Sequence, residues 1–217
     1  MPYRKGYRRR RYKKKSWYNK KHCYSARDVA ISAMKGVKYL KGLVNSEVHK
    51  LESDIGASVS DSGSITHLTP ITQGDSTANR QGNSVLGKYL TCRGILTKHA
   101  SATATQVRCM LFRDNQQVGD TSPGISDILQ STPYINSMLS STTVGRFTKL
   151  YDKLVFLSSN KPSGQFVINL AVKSHVRFNG SASSDIQKNG LYLVLVSNEA
   201  TNTPSVDAQA RFGFYDN

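Results

Sequence analysis

Alternation between apolar and polar residues predicts β-strands over most of the chain after residue 45. The alternation is strictest in three segments, at residues 104–112, 165–173 and 206–214. In the second of these segments, Phe166 and Ile168 fall on the opposite face from Gln165 and Asn169. Such a period of two is typical of antiparallel sheets that bury one face.

Less regular strand candidates fill the gaps between these segments, at residues 46–58, 64–72, 85–98, 147–157, 174–179 and 190–197. The last of them contains the run L-Y-L-V-L-V, which is apolar on both faces and therefore predicts a central, covered strand. About eight core strands, joined by loops rich in Ser, Thr, Asn and Gly, predict an all-β fold. We expect a single eight-stranded antiparallel jelly roll or a related two-sheet sandwich.

A short amphipathic helix is predicted just before the strands, over residues 26–43. Ser25 and Asp28 have the spacing of a capping box, and the residues that follow place a narrow apolar stripe on one face, formed by Val29, Ala33, Val37 and Leu40. Lysines occupy the polar side. A basic amphipathic helix can bind a membrane surface, but the small residues in this stripe favour docking under a sheet.

Two predicted loops are longer than a jelly roll requires. Residues 73–84 are almost entirely polar, and residues 114–146 contain one helical turn at 125–129. Long loops are usually functional or disordered, and in an assembling protein they are natural contact elements. The sequence assigns no function to the 73–84 loop. Within it, Asp75 and Arg80 predict a loop salt bridge or a contact between subunits, since the further acids that calcium requires are lacking.

The net charge of +16 is concentrated at the beginning of the chain. Residues 3–21 hold eleven of the thirty Lys and Arg residues, and no acidic residue precedes Asp28. This density of one sign predicts an arm that is disordered by itself and binds a polyanion. Interleaved aromatic residues can stack on unpaired bases, which favours single strands. The predicted nucleic-acid-binding residues are Arg4, Lys5, Arg8, Arg9, Arg10, Arg11, Lys13, Lys14, Lys15, Trp17, Lys20 and Lys21. The alternatives are a solvated tail or a nuclear localisation signal, and the latter role does not exclude nucleic-acid binding.

Motifs for catalysis, metals or membranes are not found in the sequence. The three cysteines show no C-x-x-C spacing and the five histidines are scattered, so we expect no metal, no cofactor and no enzyme. The longest apolar run has six residues, which predicts neither a secretory signal nor membrane insertion.

Several stretches in a fixed order resemble one protein family across nearly the full length. They are V-N-S-E-V-H-K-L at 44–51, G-S-I-T-H-L-T-P-I-T-Q-G-D with R-Q-G-N-S-V within 63–85, I-S-D-I-L at 125–129, R-F-T-K-L-Y-D-K at 146–153 and N-G-L-Y-L-V-L-V-S at 189–197. Preceded by a Tyr/Arg/Lys-rich arm, this order resembles the jelly-roll capsid proteins of small circular single-stranded DNA viruses that encode a replication initiator. Those proteins are related in fold to satellite-virus capsids.

The resemblance implies a small icosahedral shell of roughly sixty subunits. It implies three regions: a basic arm at 1–24, the short helix at 25–44 and the jelly-roll shell domain at 45–217. The arm would bind single-stranded circular DNA inside the virion and serve as a signal for the host nuclear import machinery. A shell of this kind also implies a receptor on the host cell.

Three other readings stay open at this point. The chain could be a satellite-type RNA virus coat protein. It could be a cellular nucleic-acid-binding or architectural protein, which would bind with a steep salt dependence but form no closed particle. A jelly-roll lectin or hydrolase with a basic tail would need a ligand pocket with convergent polar groups.

Overall fold

The computed structural model describes residues 25–44, 47–131 and 134–216. Its contacts divide the chain into two units, Met1–Leu43 and Val44–Asn217. The first described element is helix α1 (Ala26–Val44), which confirms the predicted helix to within one residue.

Helix α1 begins with the predicted capping box. The Asp28 amide donates to Ser25 Oγ at 3.2 Å, and the Ser25 amide donates to Asp28 Oδ2 at 3.3 Å. These bonds satisfy amides that have no partner inside the helix. Each side chain described in the helix, from Ala26 to Leu43, is exposed. The helix therefore buries none of its apolar stripe within its own unit, and docking of that stripe stays a prediction.

The second unit is built almost entirely from strands. They are β1 (His49–Ser58), β2 (Ser64–His67), β3 (Ser84–Thr97), β4 (Ala104–Asp114), β5 (Phe147–Ser158), β6 (Ser163–Ala171), β7 (His175–Phe178), β8 (Ile186–Lys188), β9 (Gly190–Ser197) and β10 (Ser205–Asp216). A four-residue helix α2 (Ile125–Ile128) and a 3-10 turn (Tyr134–Asn136) interrupt the long segment between β4 and β5.

The strands form two antiparallel sheets. In sheet I the order is β1, β10, β3, and β3 then pairs with both β6 and the short hairpin β7–β8; in sheet II the order is β2, β9, β4, β5. The chain passes from one sheet to the other at β1–β2, β2–β3, β3–β4, β5–β6, β8–β9 and β9–β10. This connectivity is that of a jelly roll, so the predicted two-sheet fold of eight strands is confirmed. The hairpin β7–β8 is an addition that extends sheet I.

The main core lies between the two sheets. Inward residues of β3, β6 and β10, among them Leu90, Phe166 and Phe212, are almost completely buried against inward residues of sheet II such as Val107 and Leu193. Their positions follow from the period of two in the sequence, which assigns alternate residues to the inner face.

A second core lies on the opposite face of sheet II. Met110 and Phe112 of β4 and Val194 of β9 are fully buried there beneath Ile128 and Ile135 of the segment between β4 and β5. This segment, residues 115–146, is named the cover segment below. Strand β9 is buried along its whole length because the cover segment lies on one face and sheet I on the other. The prediction of a central, covered strand is thus confirmed.

Candidate assembly and nucleic-acid surfaces

The twelve residues predicted to bind nucleic acid, from Arg4 to Lys21, lie outside the described residues. Their role stays a prediction. The described surfaces that bear on function are helix α1, the polar loop at 73–84 and the cover segment.

Helix α1 separates its charges from its apolar residues. At 100° per residue, Arg27, Lys35 and Lys38 share one side. Val29 and Leu40 share the other side, together with Ala33 and Val37, and both are more than half exposed. Four basic residues and one acidic residue give the helix a net charge of +3. Its net charge therefore has the same sign as that of the arm that precedes it in the sequence.

The loop at 73–84 is held by one buried arginine. Arg80 is fully buried. Its Nε donates to the Ile71 carbonyl at 3.1 Å, its Nη1 donates to the Gly82 carbonyl at 2.8 Å, and its Nη2 donates to the Gly180 carbonyl. The guanidinium also lies over the Phe178 ring, 4.0 Å from the centroid. Arg80 thus joins this loop to the β7–β8 hairpin.

These contacts correct the expected salt bridge between Asp75 and Arg80. The guanidinium is bound to backbone carbonyls instead of to that carboxylate. Burial lowers the pKa of Arg80, while the charges of Asp185 and Asp216 act to raise it. Sequence reasoning missed this anchor because carbonyl acceptors are present in every residue and leave no signature in residue type.

Two ion pairs hold the cover segment in place. Asp114, fully buried at the end of β4, accepts from Arg146 Nη2 at 2.7 Å and so ties together the two ends of the segment. This hydrogen bond raises the pKa of Arg146. Arg108 pairs with Asp152 at 2.8 Å and also donates to the Ser137 carbonyl at 2.7 Å. The cover segment is therefore fixed at its ends and in its middle.

The cover segment presents apolar side chains to the surroundings. Val118, Met138 and Val144 are 68%, 78% and 82% exposed. Large exposed apolar side chains on a rigid support are typical of surfaces that meet another protein. The segment is therefore a candidate surface for contacts between subunits.

The titratable side chains of the core have no catalytic arrangement. Burial raises the pKa of Cys92 to about 11 and that of Cys109 to about 12, so both thiols stay protonated and unreactive. Burial also lowers the pKa of His67 to about 4; its ring stacks on Tyr192 at 4.8 Å and hydrogen-bonds Thr69. Within the described ranges, no group of three or more His, Cys, Asp or Glu residues could hold a metal ion. None of the helices described there has the length and apolar character needed to cross a bilayer.

Comparison with known proteins gives one family. The family model of the satellite tobacco necrosis virus coat protein matches residues 32–216. No protein of curated function matches the chain significantly.

Two solved viral structures are similar at a low level. One is the Desmodium yellow mottle tymovirus, at 10% identity and a TM-score of 0.37, with 78% of this chain and 87% of that chain covered. The other is the VP2 subviral particle of infectious bursal disease virus, at 9% identity and a TM-score of 0.16, with 79% of this chain and 41% of that chain covered. Likenesses this weak carry no argument beyond the family match.

Proposed function

Because the chain belongs to the satellite tobacco necrosis virus coat protein family and is therefore a viral capsid protein, we propose that it packages single-stranded nucleic acid through its basic arm. Coat proteins of this kind assemble into a shell of identical subunits, so the protein belongs to the virion. The family match begins at residue 32 and leaves the arm outside it. The role of the arm is therefore our proposal.

The observation that carries the proposal is the unequal distribution of charge. Residues 3–21 contain eleven basic residues and no acid, and helix α1 adds a net charge of +3. Residues 47–216 contain fifteen basic and thirteen acidic residues, a net charge of only +2. A nearly neutral wall with a strongly cationic appendage is the arrangement expected when the appendage, and not the wall, neutralises a polyanion.

The amount of charge suits a small genome. A minimal shell of about sixty subunits would bring about 660 arm charges, which neutralise several hundred phosphates of a single strand. The helices add to this number and counterions balance the remainder. The total fits a genome of about one to two kilobases.

Two kinds of cargo follow from different observations. The order of motifs along the whole chain favours circular single-stranded DNA, as in the viruses that the sequence resembles. The family match favours the satellite-virus alternative, in which the cargo is RNA. Digestion of the strand extracted from purified particles by DNase or by RNase distinguishes the two, and sequencing of that strand shows whether it is circular.

The packaging proposal is tested by removing the charge of the arm. We expect a chain lacking residues 1–21 to form shells that contain little nucleic acid, measured by the ratio of absorbance at 260 and 280 nm and by electron microscopy. A matched variant keeps the arm length and replaces its eleven Lys and Arg residues by Gln. Both variants should lose cargo, because the lost property is charge. Undiminished cargo in either variant refutes the proposal, as does a full-length protein that stays monomeric under all assembly conditions.

The same arm is proposed to act as a nuclear import signal. Its basic clusters suit recognition by the import machinery. We expect full-length protein expressed in host cells to enter the nucleus and the eleven-Gln variant to stay in the cytoplasm. Equal nuclear fractions by fluorescence microscopy would remove this part of the proposal without affecting packaging.

A further inference from the structure

Five exposed basic residues lie at one end of sheet I, on the face that points away from the core between the sheets. Strand register places Lys50 opposite Gly213, Ser84 opposite Arg177, and Arg177 opposite Lys188. The group, named the root patch, consists of Lys50, Lys88, Lys173, Arg177 and Lys188, all of them exposed. They belong to strands β1, β3, β7 and β8 and to the turn between β6 and β7.

Local backbone geometry keeps these side chains together. Lys88 is the extra residue of a bulge, since Gly87 pairs with Phe214 and Tyr89 already pairs with Gly213. The Lys88 carbonyl accepts from the Val172 amide at 3.2 Å, which brings the turn that carries Lys173 beside it. With four gaps between β1 and β8 across the sheet, the patch is about 19 Å wide.

The charges of the root patch are not compensated. Arg177 and Lys188 are opposite each other on neighbouring strands, an arrangement that repels. None of the five residues makes an ion pair with any residue that the structure describes; Lys88 instead lies over the Tyr215 ring at 5.2 Å. A cluster that costs stability in the isolated subunit suits an anionic partner from outside it.

Acidic residues of the same face are farther along the strands. Glu52, Asp54 and Asp207 follow toward the opposite end, and Glu52 is already bound by Arg211 at 2.8 Å. The five residues are one third of the fifteen basic residues in 47–216, and the remainder of that region has ten basic and thirteen acidic residues. Basic residues are thus dense at this end of the sheet, and two acids that also lie there, Asp185 and Asp216, accept hydrogen bonds from the backbone amides of Ala182 and Gln81.

The root patch is also where the chain enters the sheet. Lys50 is the second residue of β1, and only residues 45–48 separate β1 from the end of α1. The patch thus includes the first strand of the shell unit that follows the arm and helix α1 in the sequence.

We infer that the root patch is a second contact surface for the phosphate backbone of the packaged strand, formed by the folded shell unit. This inference rests on the proposed function. Cations on a rigid sheet bind phosphates without base readout. Two half-buried rings, those of Tyr89 and Tyr215, lie beside the cations. The Tyr89 ring covers Gly213 so closely that a side chain at this position would collide with it. The arm then recruits the strand and the patch fixes it against the wall.

The test compares two variants of the full-length protein with equal loss of charge. The patch variant carries Lys173→Gln, Arg177→Gln and Lys188→Gln. The control variant carries Arg93→Gln, Lys153→Gln and Lys161→Gln, which are exposed and make no ion pair within the part of the chain that the structure describes. Binding of a fluorescent single-stranded 30-mer of mixed sequence is measured by anisotropy at several salt concentrations, with dilute protein that does not assemble.

The slope of log K against log salt is negative, and each lost phosphate contact reduces its magnitude by about 0.7 for a single strand. We expect the patch variant to lose about 2 in slope and the control variant to keep the wild-type value. A conservative variant with Lys173→Arg, Arg177→Lys and Lys188→Arg should also keep it. If the triple substitution prevents folding, Lys188→Gln alone should lower the slope by about 0.7.

Equal slopes for patch and control variants overturn the inference. A patch variant that binds the oligonucleotide like wild type but fails to assemble assigns the patch to an acidic surface of a neighbouring subunit, and this outcome also overturns it. Loss of binding in the eleven-Gln arm variant, with no effect of the patch variant, leaves the packaging proposal intact and removes only the root patch.

Discussion

Replacing Arg80 by methionine should destabilise the shell domain more than most surface or loop substitutions. Methionine has an unbranched side chain, as arginine does, but it has no hydrogen-bond donor. The carbonyls of Ile71, Gly82 and Gly180 would lose the partner that they now share. The loop at 73–84 and the β7–β8 hairpin would then no longer be joined through this side chain.

The size of the effect follows from these contacts. Each buried carbonyl left without a donor costs about 1–3 kcal/mol, and loss of the contact with the Phe178 ring adds up to about 2 kcal/mol. Relief from burying a guanidinium, together with entry of water, offsets part of this sum. We expect Arg80→Met to lower the free energy of unfolding by about 3–5 kcal/mol. For a domain of this size that corresponds to a fall of about 10 °C in Tm.

Urea unfolding of the unassembled full-length protein measures this change. The midpoint should fall while the slope with denaturant stays constant, because the area exposed on unfolding is unchanged. Arg80→Lys should fall between wild type and Arg80→Met, since an ammonium cannot reach three carbonyls in a fork. Arg93→Met is the matched control at an exposed position and should stay within about 0.5 kcal/mol of wild type. If Arg80→Met is as stable as that control, the buried arginine does not hold the loop.

Three further changes test other parts of the structure. The pKa of His67 is about 4 in the folded protein and 6.5 in the unfolded chain, so between these pH values the unfolded chain binds one more proton. The free energy of unfolding should therefore fall by up to about 3 kcal/mol as the pH decreases from 6.5 to 4. This decrease should be smaller in His67→Phe, and an unchanged pH profile would contradict the assignment. Asp114→Ala leaves Arg146 unpaired and should cost about 3 kcal/mol in urea unfolding, with faster hydrogen exchange in the cover segment; slow exchange there would show that the ion pair is dispensable. Cys92 and Cys109, with pKa values of about 11 and 12, should react with iodoacetamide only as fast as the protein unfolds, and rapid labelling of the native protein would show that the thiols are accessible.

The sequence predicted the parts of the fold that depend on local pattern. Helix α1 is determined by the capping box of Ser25 and Asp28 and by the apolar stripe that follows it. These two signals lie within a few residues of each other. Alternation in 165–173 and the continuous apolar run in β9 likewise show which side chains are inside. Each of these signals lies within one segment, so periodicity alone detects it.

Features that join distant segments were not predictable in this way. Arg80 is anchored through the carbonyl of Gly180, a hundred residues away, and carbonyls carry no mark in the sequence. The sequence predicts a long loop with one helical turn for the cover segment, although Ile128 and Ile135 are buried in the second core. The pairing of Arg177 with Lys188 depends on a hairpin register that no single segment specifies.

The two cores of the shell domain share no buried residue, because the inward and outward side chains of sheet II belong to separate clusters. Size-conserving exchanges among the buried residues of the cover segment can therefore be accommodated without repacking the space between the two sheets. Sheet II separates two layers that tolerate substitution independently as long as its own backbone stays in place.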